Sequence, residues 1–492
     1  MLSNIYSLSD LRKIEHEAEK LNLPLMQRAA QAACDWVKMN YPQPVSILVA
    51  SGCGNNGGDA LWCAYMLAQH GNYSVTIWLP SPPTSEATIE ALAACKALNL
   101  PVYSDIKTLP HKPQLVIDGF FGIGLNRELD TNWQKCINQL NELCDPVLAL
   151  DVPSGLDAYC GTVYGSAVRA SVTLTFICAK PGLFTNYGAD YSGKIIVDSL
   201  DIPACLFPAP LGSIAPVTTA MLTPLKRVHN SHKGSFGTVG VIGGTKGMLG
   251  AALLCGRAAL LCGAGKVLLG TLASLSVDLT TPELMISSVQ ELLTKKPNVL
   301  AIGPGLSCSQ EALDYFEQAL TLCPVRVIDA DALNLLAGHP ELDHYFTDNK
   351  SSNILTPHPT EAARLLQTDT ATIQADRVKA TQQLANKYQS TVILKGAGSI
   401  IAQADGYYRI NTTGSPSLST AGQGDVLTGI CAALLAQGLD GFTAASVASY
   451  IHGLAGESYS QTIGDIGLTA SHTINLAVTH LNNLINDTPK PR

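Results

Sequence analysis

VSILVASGCGNNGGDA, residues 45–60, joins an apolar run to a turn that holds four glycines and two asparagines. The run is typical of a buried strand, and glycine lets backbone amides approach a ligand because no Cβ stands in the way. If a helix begins near Asp59, its first amides and its dipole would bind an anion such as phosphate. Tight packing of the helix on the strand explains such a turn equally well. The stretch therefore predicts a βα unit and leaves the role of its turn open.

The same alternation of apolar runs and helical stretches continues along the first half of the chain. The runs VTIWL, QLVID and PVLALD follow, and helical stretches at 59–70, 84–98 and 131–144 separate them. Two further runs, ASVTLTFICAK and GKIIVDSLDIP, complete this half. The pattern predicts βαβ units, a mostly parallel sheet and helices on both of its faces.

A proline-rich segment near residues 203–222 predicts a linker, with prolines at 203, 208, 210 and 216. The alternation restarts beyond it with GTVGVIGG and continues through NVLAIGPGL, VRVIDADAL, NILTPHPTE and TVILKGAG. A chain of 492 residues is long enough to bury more than one core. We therefore predict two α/β domains, at 1–215 and 222–492.

Composition argues against several kinds of partner. Charged residues make up 14% of the chain and the net charge is -8, so a basic surface for nucleic acid is not expected. The 14 cysteines are scattered without a CxxC pair, which favours free thiols in a reducing compartment. The most apolar region, 249–270, is interrupted by Arg257 and Lys266, and the amino terminus lacks a signal-peptide run. We expect a soluble cytoplasmic protein that binds neither nucleic acid nor a membrane.

Polar residues follow the apolar runs of the first half. Asp118 and Asp151 each end such a run, where an ionised carboxylate is costly unless it is paired. With Asn56 and Ser154 they could surround a hard cation, because such ions prefer oxygen ligands. Either aspartate could instead cap a helix or a turn. Since the carboxyl ends of parallel strands meet at one edge of a sheet, we expect the three loops to converge on one crevice.

GCGNNGGD, DGFFGIGL and DVPSGLDA, in that order and spacing, resemble the NAD(P)H-hydrate epimerase domain over essentially residues 1–215. The resemblance implies a Rossmann-like three-layer sandwich, a potassium ion held by Asn56, Asp118 and Ser154, and a catalytic Asp151. The residues implied to contact the hydrated nucleotide are Asn55, Asn56, Gly57, Gly58, Asp59, Gly122, Ile123, Gly124, Leu125, Asn126, Arg127 and Glu128. LMQRAA at 25–30 stands where the family often has LMENAG. The difference affects the substrate contacts that the resemblance implies for this helix.

STAGQGDVLTG, residues 419–429, is the sharpest motif of the second half. Amides of Gly422, Gln423 and Gly424 at a helix start would stabilise a developing phosphoryl charge, beside Asp425 as a base or orienting group. An ordinary helix start with an acidic first turn is the alternative. KGAGS at 395–399 offers a second glycine-bordered seat with a cationic lysine, suited to nucleotide phosphate. GPGL and TPHPTE each follow an apolar run and should lie at the same edge of the sheet.

SHKGSFG, AGQGDVLTG and TPHPTE together resemble the ADP-dependent NAD(P)H-hydrate dehydratase domain, a member of the ribokinase-like superfamily, from about residue 224 to 487. The resemblance implies a ribokinase-like α/β domain that uses ADP as co-substrate, with Mg²⁺ bridging its phosphates. The implied nucleotide-binding residues are Lys395, Gly396, Ala397, Gly398, Ser399 and Gly424. The residues implied to contact the hydrated cofactor are Ala251, Gly305, His358 and the catalytic Asp425. SPSLSTAG at 415–422 departs from the family's NPGMATAG. The lost glycine and methionine alter this loop, whereas the backbone amides of the anion hole are retained.

Together the two resemblances imply a homo-oligomeric enzyme that repairs hydrated nicotinamide cofactors, NADHX and NADPHX. One half would interconvert their R and S forms, and the other would dehydrate the S form with ADP, giving AMP and phosphate. A small-molecule kinase of the same superfamily is one alternative, although the first half argues against it. A non-catalytic nucleotide-binding scaffold is another, and the retained Asp118, Asp151 and NNGGD speak against a dead site.

Overall fold

The computed structural model of the chain describes residues 2–143, 146–214, 216–346 and 352–486. It divides into two compact units, Met1–Ile214 and Ala215–Arg492. Each unit is built on a largely parallel sheet, which confirms the predicted α/β class. Residue 144 of a predicted helix, and residues 1, 145, 215, 347–351 and 487–492 of the predicted domains, lie outside the described ranges. Within those ranges, no helix combines the length and the apolar character needed to cross a membrane.

Strands of the first unit follow the predicted apolar runs. They are β1 (Asn4–Ile5), β2 (Ser46–Ser51), β3 (Ser74–Trp78), β4 (Val102–Tyr103), β5 (Leu115–Gly119), β6 (Val147–Leu150), β7 (Val172–Phe176), β8 (Lys194–Asp198) and β9 (Gly212–Ser213). The main sheet has the order β4-β3-β2-β5-β6-β7-β8 with all its strands parallel, and β1 pairs with β9 in the antiparallel sense.

Helices cover both faces of this sheet, as the alternation predicts. They are α1 (Leu8–Lys20), α2 (Leu25–Asn40), α3 (Asn55–Gln69), α4 (Glu86–Ala97), α5 (Thr131–Leu143) and α6 (Gly188–Tyr191). Val49 of β2 is buried in one apolar cluster with α2 and α3, whereas its neighbour Leu48 is buried in another with α5. Successive residues of a strand face opposite sides, so β2 is apolar throughout because both sides are covered.

Helix α3 begins at Asn55, four residues before the predicted start near Asp59. Glycine is a weak helix former, which is why the turn NNGG reads as a loop in sequence. In the structure Gly57 lies in the first helical turn, where a Cβ would stand 2.1 Å from the carbonyl oxygen of Gly52. The glycines therefore allow the helix to pack directly on the end of β2.

The second unit contains a larger sheet. Its described strands are β10 (Thr238–Gly243), β11 (Lys266–Thr271), β12 (Met285–Ser288), β13 (Val299–Ile302), β14 (Val325–Ile328), β15 (Ser352–Leu355), β16 (Thr391–Leu394), β17 (Ile400–Ala402) and β18 (Tyr408–Ile410). Their order is β12-β11-β10-β13-β14-β15-β16-β17-β18. Strands β10 to β16 are parallel, and β17 and β18 are added in the antiparallel sense.

The second unit has ten α-helices within the described ranges. They are α7 (Leu249–Leu261), α8 (Val289–Thr294), α9 (Gln310–Leu322), α10 (Ala330–Gly338), α11 (Pro359–Leu365), α12 (Thr370–Ala375), α13 (Arg377–Lys387), α14 (Gln423–Ala436), α15 (Gly441–Thr462) and α16 (Ala470–Asn486). Helix α14 is buried along most of its length among residues of α7, α15 and α16. A helix that is apolar all round needs such cover, and its first turn is consequently held firmly.

Each sheet has a point at which its strand order reverses, between β2 and β5 in the first unit and between β10 and β13 in the second. Loops that leave neighbouring strands there run in opposite directions and open a crevice at the carboxyl edge. The motifs NNGGD and DGFFGIGL follow β2 and β5, and GPGL follows β13. The topology therefore places these motifs where an α/β sheet binds ligands.

Candidate functional sites

A cavity of about 910 Å³ opens at the point of strand reversal in the first unit. The loops after β2, β5 and β6 all line it, as the sequence predicts. Of the predicted residues, its walls include Asn55, Asn56, Asp59, Gly122, Ile123, Gly124, Leu125, Asn126, Arg127, Glu128 and Asp151. Its volume is in the range of small-molecule sites, roughly 300–1,000 Å³. The structure thus brings most of the predicted substrate residues together.

Gly57 and Gly58 belong to the same turn but do not line the cavity. A Cβ at Gly58 would lie 2.7 Å from the Cε of Met26, on the helix that carries LMQRAA. Both glycines are buried behind the cavity wall. Close packing therefore explains these two residues, while Asn55 and Asn56 of the same helical turn face the ligand space.

Asp118 and Ser154 lie in contact beneath the cavity and are fully buried. The backbone N–H and the hydroxyl of Ser154 donate to Asp118 at 2.8 and 2.7 Å, and the N–H of Phe120 donates at 3.2 Å. Burial raises the pKa of Asp118 to about 6, although these donors favour its ionised form. A cation near this carboxylate would offset the cost of burying its charge.

Asn56 has a buried side-chain amide whose oxygen and nitrogen find no hydrogen-bond partner within the described ranges. A Cβ at Gly122 would lie 3.4 Å from the Asn56 Cγ, so the amide rests against the DGFFGIGL loop. Buried polar groups in native proteins are nearly always satisfied. An orphaned carbonyl oxygen together with the Asp118 carboxylate and the Ser154 hydroxyl fits a monovalent cation that prefers oxygen ligands.

Asp151 is bound by a lysine for which the sequence analysis assigned no role. Lys180 Nζ lies 2.6 Å from Asp151 Oδ1, and the two side chains are 2% and 14% exposed. The other carboxylate oxygen accepts only a long hydrogen bond, 3.4 Å from the N–H of Ile123. Asp151 has a φ of 63°, in the left-handed region that non-glycine residues rarely occupy. A strained aspartate with one oxygen held by a buried cation and the other facing a cavity is typical of a reactive group.

Two further carboxyl groups, Glu15 and Asp59, line the cavity beside Asp151. Burial, together with Asp151 and Glu15, raises the pKa of Asp59 well above its usual range. Burial and then Asp151 raise the pKa of Glu15. Both carboxyl groups are therefore more easily protonated than free ones, and a protonated carboxyl can donate a hydrogen bond to a ligand.

In the second unit, Lys395 pairs with a carboxylate that the sequence analysis did not single out. Lys395 Nζ lies 2.8 Å from Asp329 Oδ1, and Thr428 of α14 donates to the other oxygen at 2.7 Å. Burial opposes the ionised form of Asp329, but Lys395 together with the hydroxyls of Thr428 and Thr356 outweighs burial and lowers the pKa of this carboxyl. Gly424 lies over the pair, since its Cβ would stand 3.4 Å from Lys395 Nζ. The first turn of α14 is thereby joined to the ends of β14 and β16.

Asp425 stands in the first turn of α14, after Gly422, which has a φ of 87° and precedes the helix. Burial raises the pKa of Asp425 to about 7, with Asp329 adding to the effect and Lys395 opposing it. The first amides of a helix have no intrahelical acceptor. The geometry therefore offers unpaired N–H donors beside a carboxyl group that exchanges protons near neutral pH.

His358 and Glu361 reach the same edge of the sheet from the start of α11. Glu361 Oε2 accepts from the N–H of His358 at 2.8 Å and lies 3.8 Å from Lys395 Nζ. Burial raises the pKa of Glu361 to about 7, against the influence of Lys395. Burial and Lys395 together lower the pKa of His358. The neutral imidazole is thus favoured as a ligand contact.

The remaining predicted residues of this unit fall into two places. Gly305 has a φ of 62°, and a Cβ there would lie 3.3 Å from the Cβ of Ala251, so these two residues are neighbours. Gly396, Ala397, Gly398 and Ser399 form the turn after β16, in which the Ser399 hydroxyl donates to the Gly396 carbonyl at 3.0 Å. Gly396 and Ala397 are exposed and open to a nucleotide.

The structure adds Lys180, Asp329 and Glu361 to the predicted residues. Each follows a buried strand and reaches the same edge as the motifs: Lys180 after β7, Asp329 directly after β14, and Glu361 after β15. The rule that identified Asp118 and Asp151 could have found Asp329, which ends the run VRVID. Across the described ranges, no group of three or more His, Cys, Asp and Glu side chains is arranged to bind a metal ion.

Comparison with known proteins gives matches across both units. A family described as NAD(P)H-hydrate dehydratase matches residues 239–477, and one described as YjeF-related protein N-terminus matches residues 22–182. A bifunctional NAD(P)H-hydrate repair enzyme of Coxiella burnetii is 36% identical over 98% of this chain and 99% of its own length. Its counterpart in Escherichia coli is 33% identical over 95% of this chain and 92% of its own. A crystallised ADP/ATP-dependent NAD(P)H-hydrate dehydratase of Bacillus subtilis is 27% identical, covers 54% of this chain and 94% of its own, and has a TM-score of 0.47.

Proposed function

The chain belongs to the family of bifunctional NAD(P)H-hydrate repair enzymes, and we propose that its first unit interconverts the R and S hydrates while its second unit dehydrates the S form. One observation carries this division of labour. The cavity of the first unit gathers three strand-end loops around the Lys180–Asp151 pair. An epimerisation site needs a proton-exchanging group in a pocket of nucleotide size, and the position of Asp151 in this cavity supports the proposal.

The hydrate carries a hydroxyl at C6 of the nicotinamide ring, and exchange of R and S requires bonds at that carbon to break and form again. Asp151 has one oxygen fixed by Lys180 and the other facing the cavity. As the C6–N1 bond breaks, the oxygen that faces the cavity takes the proton of the C6 hydroxyl and passes it to N1, and the reverse transfer accompanies closure of the ring on its other face. The oxygen bound by Lys180 keeps the carboxylate in place. Asn55 and Asn56 lie in the first turn of α3, whose amides and dipole favour a phosphate of the nucleotide.

We propose that Asn56, Asp118 and Ser154 hold K⁺ in the first unit. The orphaned Asn56 amide and the buried Asp118 carboxylate support this proposal. When bound, the ion would fix the loops after β2, β5 and β6 relative to one another. Ser154 already links two of them, since its hydroxyl accepts from the N–H of Phe121 at 2.8 Å.

In the second unit we propose phosphoryl transfer from ADP to the C6 oxygen. Hydroxide is a poor leaving group, whereas phosphate leaves readily when the ring nitrogen supplies electrons and C5 loses a proton. Asp425 takes the proton of the C6 hydroxyl, and the amides of Gln423 and Gly424 donate to the transferred group. The products are NAD(P)H, AMP and phosphate.

Nucleotide binding is assigned to Lys395, Gly396, Ala397, Gly398, Ser399 and Gly424. Lys395 is shared between Asp329 and Glu361, so the surroundings of the phosphates are not simply cationic. Mg²⁺ would neutralise phosphate charge when bound with the nucleotide. We assign Mg²⁺ to the phosphates of the nucleotide.

We further propose a cytoplasmic homo-oligomer that acts on NADHX and NADPHX. The cysteines of the described ranges are all free, which fits a reducing compartment. Light scattering on the purified protein tests the oligomeric state.

One assay tests the proposed function as a whole. Purified protein receives mixed R and S hydrates with and without ADP and K⁺, and the absorbance of regenerated NADH or NADPH is followed. We expect complete recovery with ADP, release of free phosphate, and R/S exchange alone without ADP. A kinase would instead release a phosphorylated product, and a scaffold would leave both hydrates unchanged.

A further inference from the structure

His452 of helix α15 contacts Gln423, the first residue of α14. His452 Nε2 lies 3.2 Å from Gln423 Oε1, and the two residues are 29 positions apart. Gln423 Nε2 donates to the Thr420 hydroxyl at 3.0 Å, and that hydroxyl donates to the carbonyl of Leu468 at 2.9 Å. The chain of hydrogen bonds links α15, α14, the turn before α14 and the loop after α15.

The direction of this hydrogen-bond chain is determined by its last member. Because the Leu468 carbonyl can only accept, Thr420 uses its proton there and must accept from the Gln423 amide nitrogen. The Gln423 oxygen therefore faces His452, which donates from Nε2. Burial lowers the pKa of His452 to about 4, so the ring is neutral at neutral pH and its single N–H is the one used here.

Gln423 is 7% exposed, and both polar atoms of its side chain have partners. The preceding Gly422 has a φ of 87° and no side chain of its own to steady the turn. Because hydrogen bonds fix the end of the Gln423 side chain, they also restrain the backbone of Gln423. The restraint acts on the first amides of α14, which are the donors assigned to the phosphoryl group.

We propose that His452 is a positioning residue for the dehydration, because through Gln423 it holds the amide donors at the start of α14 in their working direction. The inference rests on the proposed function of the second unit. Donors that are aligned with a developing charge stabilise the transition state more than the ground state. Loss of the restraint is therefore expected to lower kcat and to leave the KM for ADP nearly unchanged.

Two substitutions at one position form the test. In His452→Gln the side-chain amide nitrogen can reach the place of Nε2, whereas in His452→Asn the same amide is one methylene shorter. We expect His452→Gln to keep kcat within about threefold, and His452→Asn to lower it about tenfold or more, since small misplacements of catalytic groups have effects of this order. The KM for ADP should stay within about twofold in both variants, because ground-state binding is preserved.

A double-mutant cycle gives a second readout, which does not depend on whether His452→Gln folds. Gln423→Leu removes the acceptor, so adding His452→Asn to it should reduce kcat little further. Full additivity of the two effects would contradict the proposal. R/S exchange in the first unit serves as an internal control and should be the same in every variant.

The outcomes separate this inference from the proposed function. A wild-type chain that does not dehydrate the S hydrate with ADP contradicts both. An active wild type with an equally active His452→Asn variant overturns the inference alone. So does an equal loss in the Gln and Asn variants with a lowered melting temperature, because a structural role would produce it.

Discussion

The shortest hydrogen bond of Asp151 is the one from Lys180, whose Nζ lies 2.6 Å from Asp151 Oδ1. Lys180 donates all three of its ammonium protons within the first unit. The other two acceptors are the Thr175 hydroxyl at 2.8 Å and the Phe176 carbonyl at 2.5 Å. An ammonium group has three donors, so this lysine is saturated. It holds one side of Asp151 and leaves the opposite oxygen to the cavity.

Lys180→Met is expected to abolish R/S exchange and to destabilise the first unit. Removing one partner of a buried ion pair leaves the other charge without compensation, at a cost of about 3–5 kcal/mol. Denaturant unfolding measures the stability, and chromatography of the R and S hydrates measures the exchange. ADP-dependent dehydration of the S hydrate by the second unit should persist.

The double variant Asp151→Asn with Lys180→Met separates fold from chemistry. It removes both charges, so part of the lost stability should return while exchange stays absent. If exchange returns with stability, Asp151 and Lys180 serve the fold and not the reaction.

Gly57→Ala is expected to disrupt the start of α3, because the new Cβ would lie 2.1 Å from the carbonyl oxygen of Gly52. Overpacking of this kind costs about 1–3 kcal/mol and moves the turn that faces the substrate. Gly54→Ala is the matched control, since no atom lies within 4 Å of its added Cβ. Melting temperature should fall for Gly57→Ala and stay near wild type for Gly54→Ala, and R/S exchange should fall for Gly57→Ala. Equal behaviour of the two variants would show that packing on Gly52 is unimportant.

K⁺ is expected to raise the melting temperature of the wild type, and Asn56→Leu should remove that gain. A ligand at 100 times its Kd stabilises a protein by about 2.7 kcal/mol. Calorimetry in KCl compared with tetramethylammonium chloride measures the effect at constant ionic strength. Because burial raises the pKa of Asp118 to about 6, protons should compete with the ion, and the gain should shrink as pH falls through 6. A gain that is equal in both proteins would place the cation elsewhere.

Dehydration should increase as pH rises through about 7. Burial raises the pKa of Asp425 to about 7, and a base must be ionised to accept a proton. Below that pH, kcat/KM should fall about tenfold per unit as the carboxyl becomes protonated. Asp425→Asn should lower the rate by about 10²–10⁴-fold and remove this pH dependence. A residual activity with the same pH midpoint would assign the titration to another group, such as Glu361.

The strand-end rule predicts where several of the candidate residues lie. Asp118 and Asp151 follow apolar runs, and parallel strands bring such ends to one edge, as the cavity of the first unit shows. Asp329 obeys the same rule, since it ends the run VRVID. The alternation of apolar runs with helical stretches is sufficient to predict the α/β class.

Other features depend on contacts between distant segments. Lys180 follows an apolar run, and a lysine at such a position is typical of a solvated strand end. Only the structure reveals its ion pair with Asp151. His452 and Gln423 lie on separate helices, and neither position has a pattern that points to the other. The early start of α3 depends on how closely Gly57 approaches Gly52, and the helix propensities of the residues carry no information about that distance.

The two units belong to one polypeptide, so every translated chain supplies one site of each kind. Gene expression can change how much of the protein is present but not the ratio between its two activities. The intrinsic turnover of each site and the supply of its own proposed ligands, ADP for one and K⁺ for the other, set that balance. Transcription of the gene alone would leave an excess of one diastereomer uncorrected.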